Sequence, residues 1–415
     1  MRKKDDTSQV CIIGAGPIGL YTAYLLARSG HAPYVLEEHD TIGLPVQCTG
    51  LLTQDILEYF DPVPGLLNTI SGIRLHIEGQ DRPVELASKE YVVDRAAFDQ
   101  SLAAQAESAG ASIIKGVRYT GTSKGNVTWE EKFTGKTCRR RCRILIGADG
   151  PGSKVRQQHF PQNAATCLTG IQVRVDVKLL RQKYRDRIRS DTYEVFFGDM
   201  FPGFFGWIVP ENKRILRIGC ASSNGAKRIH KRFLKHVLEG DQKSLPSSCY
   251  QAGRIPLYDP HAKVMAQDKH MSIFLIGDAA GQVKATTGGG IVPGLRAATD
   301  LAAAIDRIIA GSAGSAGTAG TEGVKGTGAT YSNSLLQVHN RSLLYHLIAR
   351  RTLDSFREED YHKLSSILST TATRRILAQV SRDRISLLVL RMVRANPGML
   401  AFLPRVLAAS WKSLF

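Results

Sequence analysis

Val10-Cys11-Ile12-Ile13-Gly14-Ala15-Gly16-Pro17-Ile18-Gly19 is a short apolar run that ends in the pattern GxGxxG. Four apolar residues bounded by glycine predict a buried strand. Ile18, Leu20, Ala23, Leu25 and Leu26 predict a helix over 17–29, with Gly30 beyond its end. Pro17 falls in the first turn, where its missing N–H is no loss. Tyr34-Val35-Leu36 reads as a second strand and closes a β-α-β unit at Glu37 and Glu38. In such a unit the first glycine permits the tight turn, the second the approach of a pyrophosphate, and the third the packing of helix on strand. The helix start adds N–H donors and the positive end of its dipole. An acid about 20 residues on accepts ribose hydroxyls, and Glu37 stands there. These features predict dinucleotide binding at Gly14, Ala15, Gly16, Pro17, Gly19 and Glu37, with Glu38 beside it.

Outward from this unit, Tyr91-Val92-Val93-Asp94-Arg95 leads into a helix over 96–108 that stops before Gly110. Short strands are expected near 112–115, 127–132 and 143–146. From residue 167 the pattern changes to alternating runs at 170–177, 192–197, 205–209 and 214–220, which predict antiparallel strands. Pro210-Glu211-Asn212-Lys213 reads as a turn, and a mostly polar helix over 226–239 follows. A strand over 271–276 ends at Gly277-Asp278, and a helix over 294–310 comes next. Residues 311–328 are almost all Gly, Ala, Ser and Thr, a composition that cannot bury a core, so a flexible linker is expected. Residues 331–415 read as helical and carry 13 Lys and Arg against 5 Asp and Glu.

The 415 residues suggest two or three folded units, and 43% hydrophobic with 22% charged residues excludes a wholly disordered chain. No uninterrupted apolar stretch reaches about 18 residues, so no spanning helix is expected. Met1-Arg2-Lys3-Lys4-Asp5-Asp6 runs straight towards the first strand, so no signal peptide is expected. Seven cysteines, odd in number and scattered, suit a reducing cytoplasm. Cys138 and Cys142 have no second pair or His partner at zinc spacing, so they read as structural thiols and no metal site is expected. The net charge of +18 favours an anionic partner surface. No nucleic-acid-binding motif accompanies it, so an acidic membrane or a phosphate-bearing lipid is the expected partner rather than nucleic acid. His261 and His270 read as surface or structural residues.

Two later stretches decide which dinucleotide is bound. Ile146-Gly147-Ala148-Asp149-Gly150-Pro151-Gly152-Ser153-Lys154-Val155-Arg156 resembles the second fingerprint of flavin hydroxylases and reductases. Phe274-Leu275-Ile276-Gly277-Asp278-Ala279-Ala280-Gly281 resembles their third, whose Asp holds the flavin ribityl chain, and Arg95 lies in a matching Val-Asp-Arg turn. The order implies FAD. Thr286-Thr287-Gly288-Gly289-Gly290-Ile291 is similar to the corresponding stretch of the geranylgeranyl reductase family, within the p-hydroxybenzoate hydroxylase-like FAD-dependent oxidoreductases. So is Pro202-Gly203-Phe204-Phe205-Gly206-Trp207-Ile208-Val209-Pro210, set against that family's PxxYxWxFP lipid-cavity motif. Pro45-Val46-Gln47-Cys48-Thr49-Gly50 resembles the archaeal digeranylgeranylglycerophospholipid reductases. The chain departs at Phe205, where the family has Tyr, and at Val209, where it has Phe.

The resemblance covers roughly residues 10–310 and implies an α/β protein with an α+β insert. A Rossmann-like FAD-binding domain is expected at 1–165 and 250–310, with an antiparallel-sheet substrate domain at 166–249. A linker at 311–329 and a C-terminal helical region at 330–415 complete the expectation. It implies FAD contacts at Cys48, Thr49, Arg95, Val117, Asp149, Asp278, Gly281, Gly289, Gly290 and Ile291, beside those of the first unit. Cys48 is also expected to gate or protonate. Phe204, Phe205, Trp207 and Pro210 would line an apolar tunnel for an isoprenoid lipid. The implied activity is hydrogenation of geranylgeranyl C=C bonds, probed against three others. An aromatic monooxygenase or halogenase shares the scaffold, but the first motif Trp of halogenases would fall at Phe205. Electron-transfer flavoproteins that feed quinone carry a C-terminal cysteine cluster, and no Cys follows Cys249. A non-catalytic binder would rest on charge alone. No separate nicotinamide-binding domain is apparent, which leaves ferredoxin, a deazaflavin or NAD(P)H as electron donor. A cytoplasmic protein held peripherally on the membrane by its basic tail is expected.

Overall fold

Val10–Ile13 lies inside a six-stranded sheet ordered Met265–Gln267, Ser272–Leu275, Ile144–Gly147, Val10–Ile13, Tyr34–Leu36, Ser112–Ile114. All neighbours are parallel except the first pair. The computed structural model describes residues 9–163, 166–240, 245–313 and 336–414. Both faces of this sheet are covered, which is why its strands read as continuous apolar runs. Helices Pro17–Arg28, Arg95–Ser108 and Ile291–Ala313 pack on one face through Leu20, Leu26, Phe98, Leu102, Leu295 and Leu301. A three-stranded antiparallel sheet, Val117–Ser123, Asn126–Glu131 and Thr137–Arg141, covers the other through Tyr119, Val127 and Trp129.

A second sheet of eight strands runs Tyr250–Pro256, Cys167–Asp176, Ile215–Ser222, Gly206–Pro210, Thr192–Phe197, Leu66–Ile77, Val84–Val93, Leu51–Thr53. Alternation sorts its two faces. Val173, Ile208, Ile218 and Phe196 pack on helix Ala226–Val237 through Ile229, Phe233 and Val237. That helix reads as polar because its charges all lie on the outer side. The opposite face, with Trp207, Val209, Tyr193 and Val195, packs on the C-terminal helices through Leu368, Val380, Leu388 and Met392. Those helices are Leu336–Asp354, Glu358–Leu368, Thr371–Gln379, Ile385–Ala395 and Leu403–Leu414.

The sheet boundary differs from the sequence expectation at both ends. The expected boundaries place Leu51–Thr53, Leu66–Ile77 and Val84–Val93 in the dinucleotide unit and Tyr250–Pro256 at the start of its second part, yet all four strands belong to the larger sheet. Nor is that sheet wholly antiparallel, because Thr192–Phe197 pairs in parallel with Leu66–Ile77. A parallel pair between distant segments needs no hairpin, so it leaves no turn signal. Helix Ile291–Ala313 starts earlier than expected and runs into the start of the expected linker. The rest of that linker, 314–329, and residues 330–335 lie outside the described residues.

Candidate cofactor and substrate site

The three glycines of the first motif are used in three ways. Gly14 has φ +100°, and a Cβ there would lie 2.5 Å from the Ala148 carbonyl oxygen. A Cβ on Gly19 would sit 2.1 Å from the Gly14 oxygen, so only glycine lets the helix close on the strand. A Cβ on Gly16 would meet nothing within 4 Å, which leaves an open cradle at the N-terminus of Pro17–Arg28. Pro17 occupies the first turn there.

The Ala15 N–H donates to Glu37 Oε2 at 2.7 Å, and the His39 N–H donates to Glu37 Oε1 at 2.9 Å. His39 Nδ1 lies 2.6 Å from the same Oε1, so the carboxylate is held at the strand end beside the cradle. Val117 is buried beneath it and donates its N–H to the Glu37 carbonyl at 2.9 Å. Glu38 points outward, 4.0 Å from exposed Arg118.

The second and third fingerprints converge on this turn. Asp149 accepts from Ser153 Oγ at 2.5 Å and from the Lys154 N–H at 2.7 Å. Its carboxylate therefore shapes the turn into helix Lys154–His159. Arg156 is buried and donates to the Pro151 and Ala279 carbonyls at 2.6 and 3.0 Å, tying the two fingerprints together. Gly281, at φ +67°, ends the turn that carries Asp278. No described residue hydrogen-bonds the Asp278 carboxylate. Burial pushes its pKa up to about 6, and the Arg95 charge only partly opposes this. A Cβ on Gly290 would lie 2.9 Å from Asp278 Oδ1, so glycine keeps the space beside that carboxylate. Gly289 and Gly290 lead into Ile291, where the first N–H groups of a long helix have no intrahelical acceptor. An open cradle at a helix N-terminus, a carboxylate held at the neighbouring strand end and a carboxylate with no hydrogen-bond partner among the described residues fit the phosphates, ribose and ribityl chain of FAD.

Cys48 sits at the joint between the two sheets. The Gly50 N–H donates to Cys48 Sγ at 3.3 Å. Arg95 is partly buried and donates to Asp99 at 3.0–3.2 Å. Burial would lower its pKa, but Asp99 and then Cys48 outweigh this and raise it, so the guanidinium stays charged beside the thiol. Thr49 Oγ1 donates to Gln172 Oε1 at 2.9 Å. Gln172 also donates to the Cys48 carbonyl at 3.2 Å and accepts from Trp207 Nε1 at 3.2 Å. Gln172 carries no motif that marks it in the sequence. It pairs with Gly219, which also pairs with Trp207, and this register between strands leaves no signal in the sequence. A Cβ on Gly219 would lie 2.5 Å from the Trp207 ring, so the glycine is what lets the indole lie across the strand. Glu211, expected in an ordinary turn, is buried between Arg174 and Arg217 at 2.6–3.0 Å. Burial raises its pKa, and the two guanidinium groups more than offset that and hold it low. Arg217 also donates to the Thr49 and Val93 carbonyls, which locks the Cys48 loop on the sheet.

The aromatic residues form one wall. Phe204 stacks on Phe205 with centroids 4.1 Å apart, and Trp207 meets Phe205 edge-on at 6.0 Å. A Cβ on Gly288 would touch Phe204 and Ile255 at 3.4 Å, so the glycine loop lies directly against this wall. Pro210 is buried at the other end of the strand, where its carbonyl accepts from Asn68 at 2.9 Å.

The C-terminal helices grip the same glycine loop. Lys284 forms a buried ion pair with Asp383, which also accepts from Thr53 Oγ1 at 2.8 Å. Thr286 Oγ1 and His346 Nδ1 share a hydrogen bond of 2.7 Å. Burial and the nearby Lys284 push the His346 pKa down to about 3, so the ring is neutral. The Arg350 guanidinium lies over the Phe204 ring at 5.1 Å. Arg382, next to Asp383, pairs instead with Glu90 of the larger sheet and donates to Tyr193 Oη at 2.8 Å.

Residues 7–322 match the family described as FAD binding domain. The chain is 24% identical to the digeranylgeranylglycerophospholipid reductase of Methanocaldococcus jannaschii, covering 97% of this chain and 99% of that protein. It is 28% identical to digeranylgeranylglycerophospholipid reductase 1 of Methanothermobacter thermautotrophicus, over 69% of this chain and 74% of that one. Among solved structures, the geranylgeranyl bacteriochlorophyll reductase-like protein of Thermoplasma acidophilum superposes with a TM-score of 0.75 at 19% identity, covering 96% of this chain and 99% of that one. The flavin-dependent halogenase CmlS superposes with a TM-score of 0.60 at 17% identity, covering 90% of this chain and 72% of that one. These two likenesses concern the fold.

Proposed function

From the premise that the chain belongs to the FAD binding domain family, we propose that it is an FAD-dependent reductase of C=C bonds in geranylgeranyl chains carried on a glycerophospholipid. The observation that carries this reading is the contact between the aromatic wall and the glycine loop, Phe204 against Gly288. An apolar wall there suits an alkene chain and excludes water from the reacting bond. The full-length similarity to reductases named for this lipid class supports the same substrate.

FAD, when bound, supplies the hydride for one alkene carbon. The chain must supply the rest. Glu37 and the Gly16 cradle hold the nucleotide end, and Asp278 with Gly290 holds the end nearer the alkene. Phe204, Phe205 and Trp207 orient the chain. Cys48 holds the proton for the other carbon at Sγ, in a loop fixed by Gln172 and Arg217. Electrons arrive from ferredoxin, a deazaflavin or NAD(P)H. The substrate remains in a bilayer, so the protein works as a peripheral protein at a membrane surface. Anaerobic mixing of dithionite-reduced protein with dispersed geranylgeranyl lipid tests the reading. Return of the oxidised yellow spectrum in step with alkene loss supports it, and reduced protein that persists beside unchanged lipid overturns it.

A further inference from the structure

The last helix is amphipathic in the reverse sense. Leu403–Leu414 buries Ala409 and Ser413, and Ser413 Oγ accepts from Arg351 at 2.8 Å. Its large apolar residues Leu403, Leu407, Trp411 and Leu414 face outward at 47–67% exposure. Their spacing of four, four and three residues puts them on one stripe. Leu400 extends the stripe, and Val389 and Leu390 are exposed on helix Ile385–Ala395. An ordinary surface helix buries its leucines and exposes its alanines and serines. Contiguous apolar surface of this kind marks an interaction site.

Charge selects the partner. Residues 385–414 contain Arg391, Arg394, Arg405 and Lys412 and no Asp or Glu. Arg405 is paired with Asp360, whereas Arg391, Arg394 and Lys412 are exposed. A second copy of the chain would bring two cationic faces together. An anionic lipid leaflet accepts both the stripe and the charges. No single helix among the described residues is long and apolar enough to cross a membrane, and Ile385–Ala395 and the helical segment Pro397–Leu414, which contains the last helix, are bent by 118° relative to each other. That geometry suits lying in an interface rather than spanning it.

We propose that the Leu403–Leu414 stripe, with Leu400, inserts into the outer acyl region of an anionic bilayer while Arg391, Arg394 and Lys412 meet its phosphates. This deepens the lipid-reductase reading and rests on it for its purpose, though the surface stands on its own geometry. Helix Ile385–Ala395 links docking to the site. It turns Val389, Leu390 and Arg391 outward, and it buries Leu388 and Met392 in the apolar cluster that holds Phe204 and Trp207. The protein therefore meets the leaflet with an element that also backs the substrate wall.

The chain carries its own probe. Trp129 and Trp207 are 8% exposed, so Trp411 dominates solvent-accessible tryptophan emission. Vesicles of phosphatidylglycerol and phosphatidylcholine in equal parts should blue-shift that emission and protect it from acrylamide. Brominated acyl chains should quench it, and W411F should remove the signal without abolishing flotation. The double variant L407E/W411E should lose at least about tenfold in vesicle partition. It should keep its FAD and its turnover of detergent-dispersed lipid. Flotation without a Trp411 shift overturns the proposal, as does full-length protein that ignores these vesicles at low salt. Sedimentation showing a dimer that L407E dissolves also overturns it, because a second copy then covers the stripe. Vesicle insertion without lipid reduction supports the surface and counts against the reductase reading. Reduction of dispersed lipid without vesicle binding does the opposite.

Discussion

Lys284 and Asp383 form a buried ion pair across 99 residues of sequence, and the pair joins the loop leading to Gly288–Gly290 to the C-terminal helices. Arg382, the neighbour of Asp383, pairs with Glu90 of the larger sheet. Two adjacent residues thus fasten the helical region to the glycine loop and to the larger sheet at once. The C-terminal helices are part of the site's construction, since they fix where the glycine loop stands relative to Phe204.

Removing one partner should cost far more than removing both. Asp383→Ala leaves Lys284 buried without its counter-charge and should destabilise the fold by about 3–5 kcal/mol. The double variant Lys284→Met with Asp383→Leu should recover most of that loss. Chemical denaturation with parallel measurement of FAD retention checks both. Burial favours the neutral form of Asp383, but Lys284 outweighs it and holds the pKa low. The pair's contribution is therefore present above the unfolded value of about 3.9 and lost as pH falls below it.

FAD affinity should fall as pH drops through about 6, where Asp278 takes up its proton, loses its charge and becomes a weaker hydrogen-bond acceptor. Asp278→Asn should bind FAD more weakly and lose this pH step. Titration of apo-protein with FAD at several pH values between about 5 and 8 reads both. The sign for the empty fold is opposite. A raised carboxyl pKa contributes stability below the unfolded value that is lost as pH rises through about 6.

Two alanines in one motif should fail in different ways. Gly19→Ala puts a Cβ 2.1 Å from the Gly14 oxygen and should prevent proper folding. Gly16→Ala meets no protein atom within 4 Å, so it should fold and yet lose FAD. Circular dichroism beside flavin content separates the two outcomes. Equal flavin content in Gly16→Ala and the parent would show that the cradle does not receive the phosphates.

Cys48→Ala should slow single-turnover reoxidation by lipid about 10²–10⁴-fold while leaving FAD content unchanged. The backbone of its loop is held by Gln172 and Arg217, so removal of the thiol spares the loop. An unchanged rate would make Cys48 a packing residue.

The dinucleotide unit was legible because its chemistry is local. Gly14, Gly16, Gly19 and Glu37 each act within one β-α-β turn, and the two later fingerprints keep their own turns. The aromatic wall was legible as a motif, although its contact with Gly288 was not. What stayed hidden depends on distant pairing. Leu66–Ile77 joins the larger sheet through a parallel partner, Thr192–Phe197, and no hairpin announces it. Gln172 is one polar residue in a strand until Cys48 and Trp207 are brought to it. Lys284 and Asp383 are unremarkable charges until the tail folds over the glycine loop. The tail's basic, apolar composition was plain, but only packing shows that Leu407 faces out while Ala409 faces in.

The most direct measurement is mass spectrometry of a defined geranylgeranyl glycerophospholipid after anaerobic incubation with the reduced, FAD-loaded protein. A reductase of this kind adds two hydrogens for each double bond reduced, with the phosphate headgroup intact and no gain for the Cys48→Ala variant in the same interval. Unchanged lipid mass alongside fully loaded FAD, or a product that has gained oxygen or halogen, would contradict this activity.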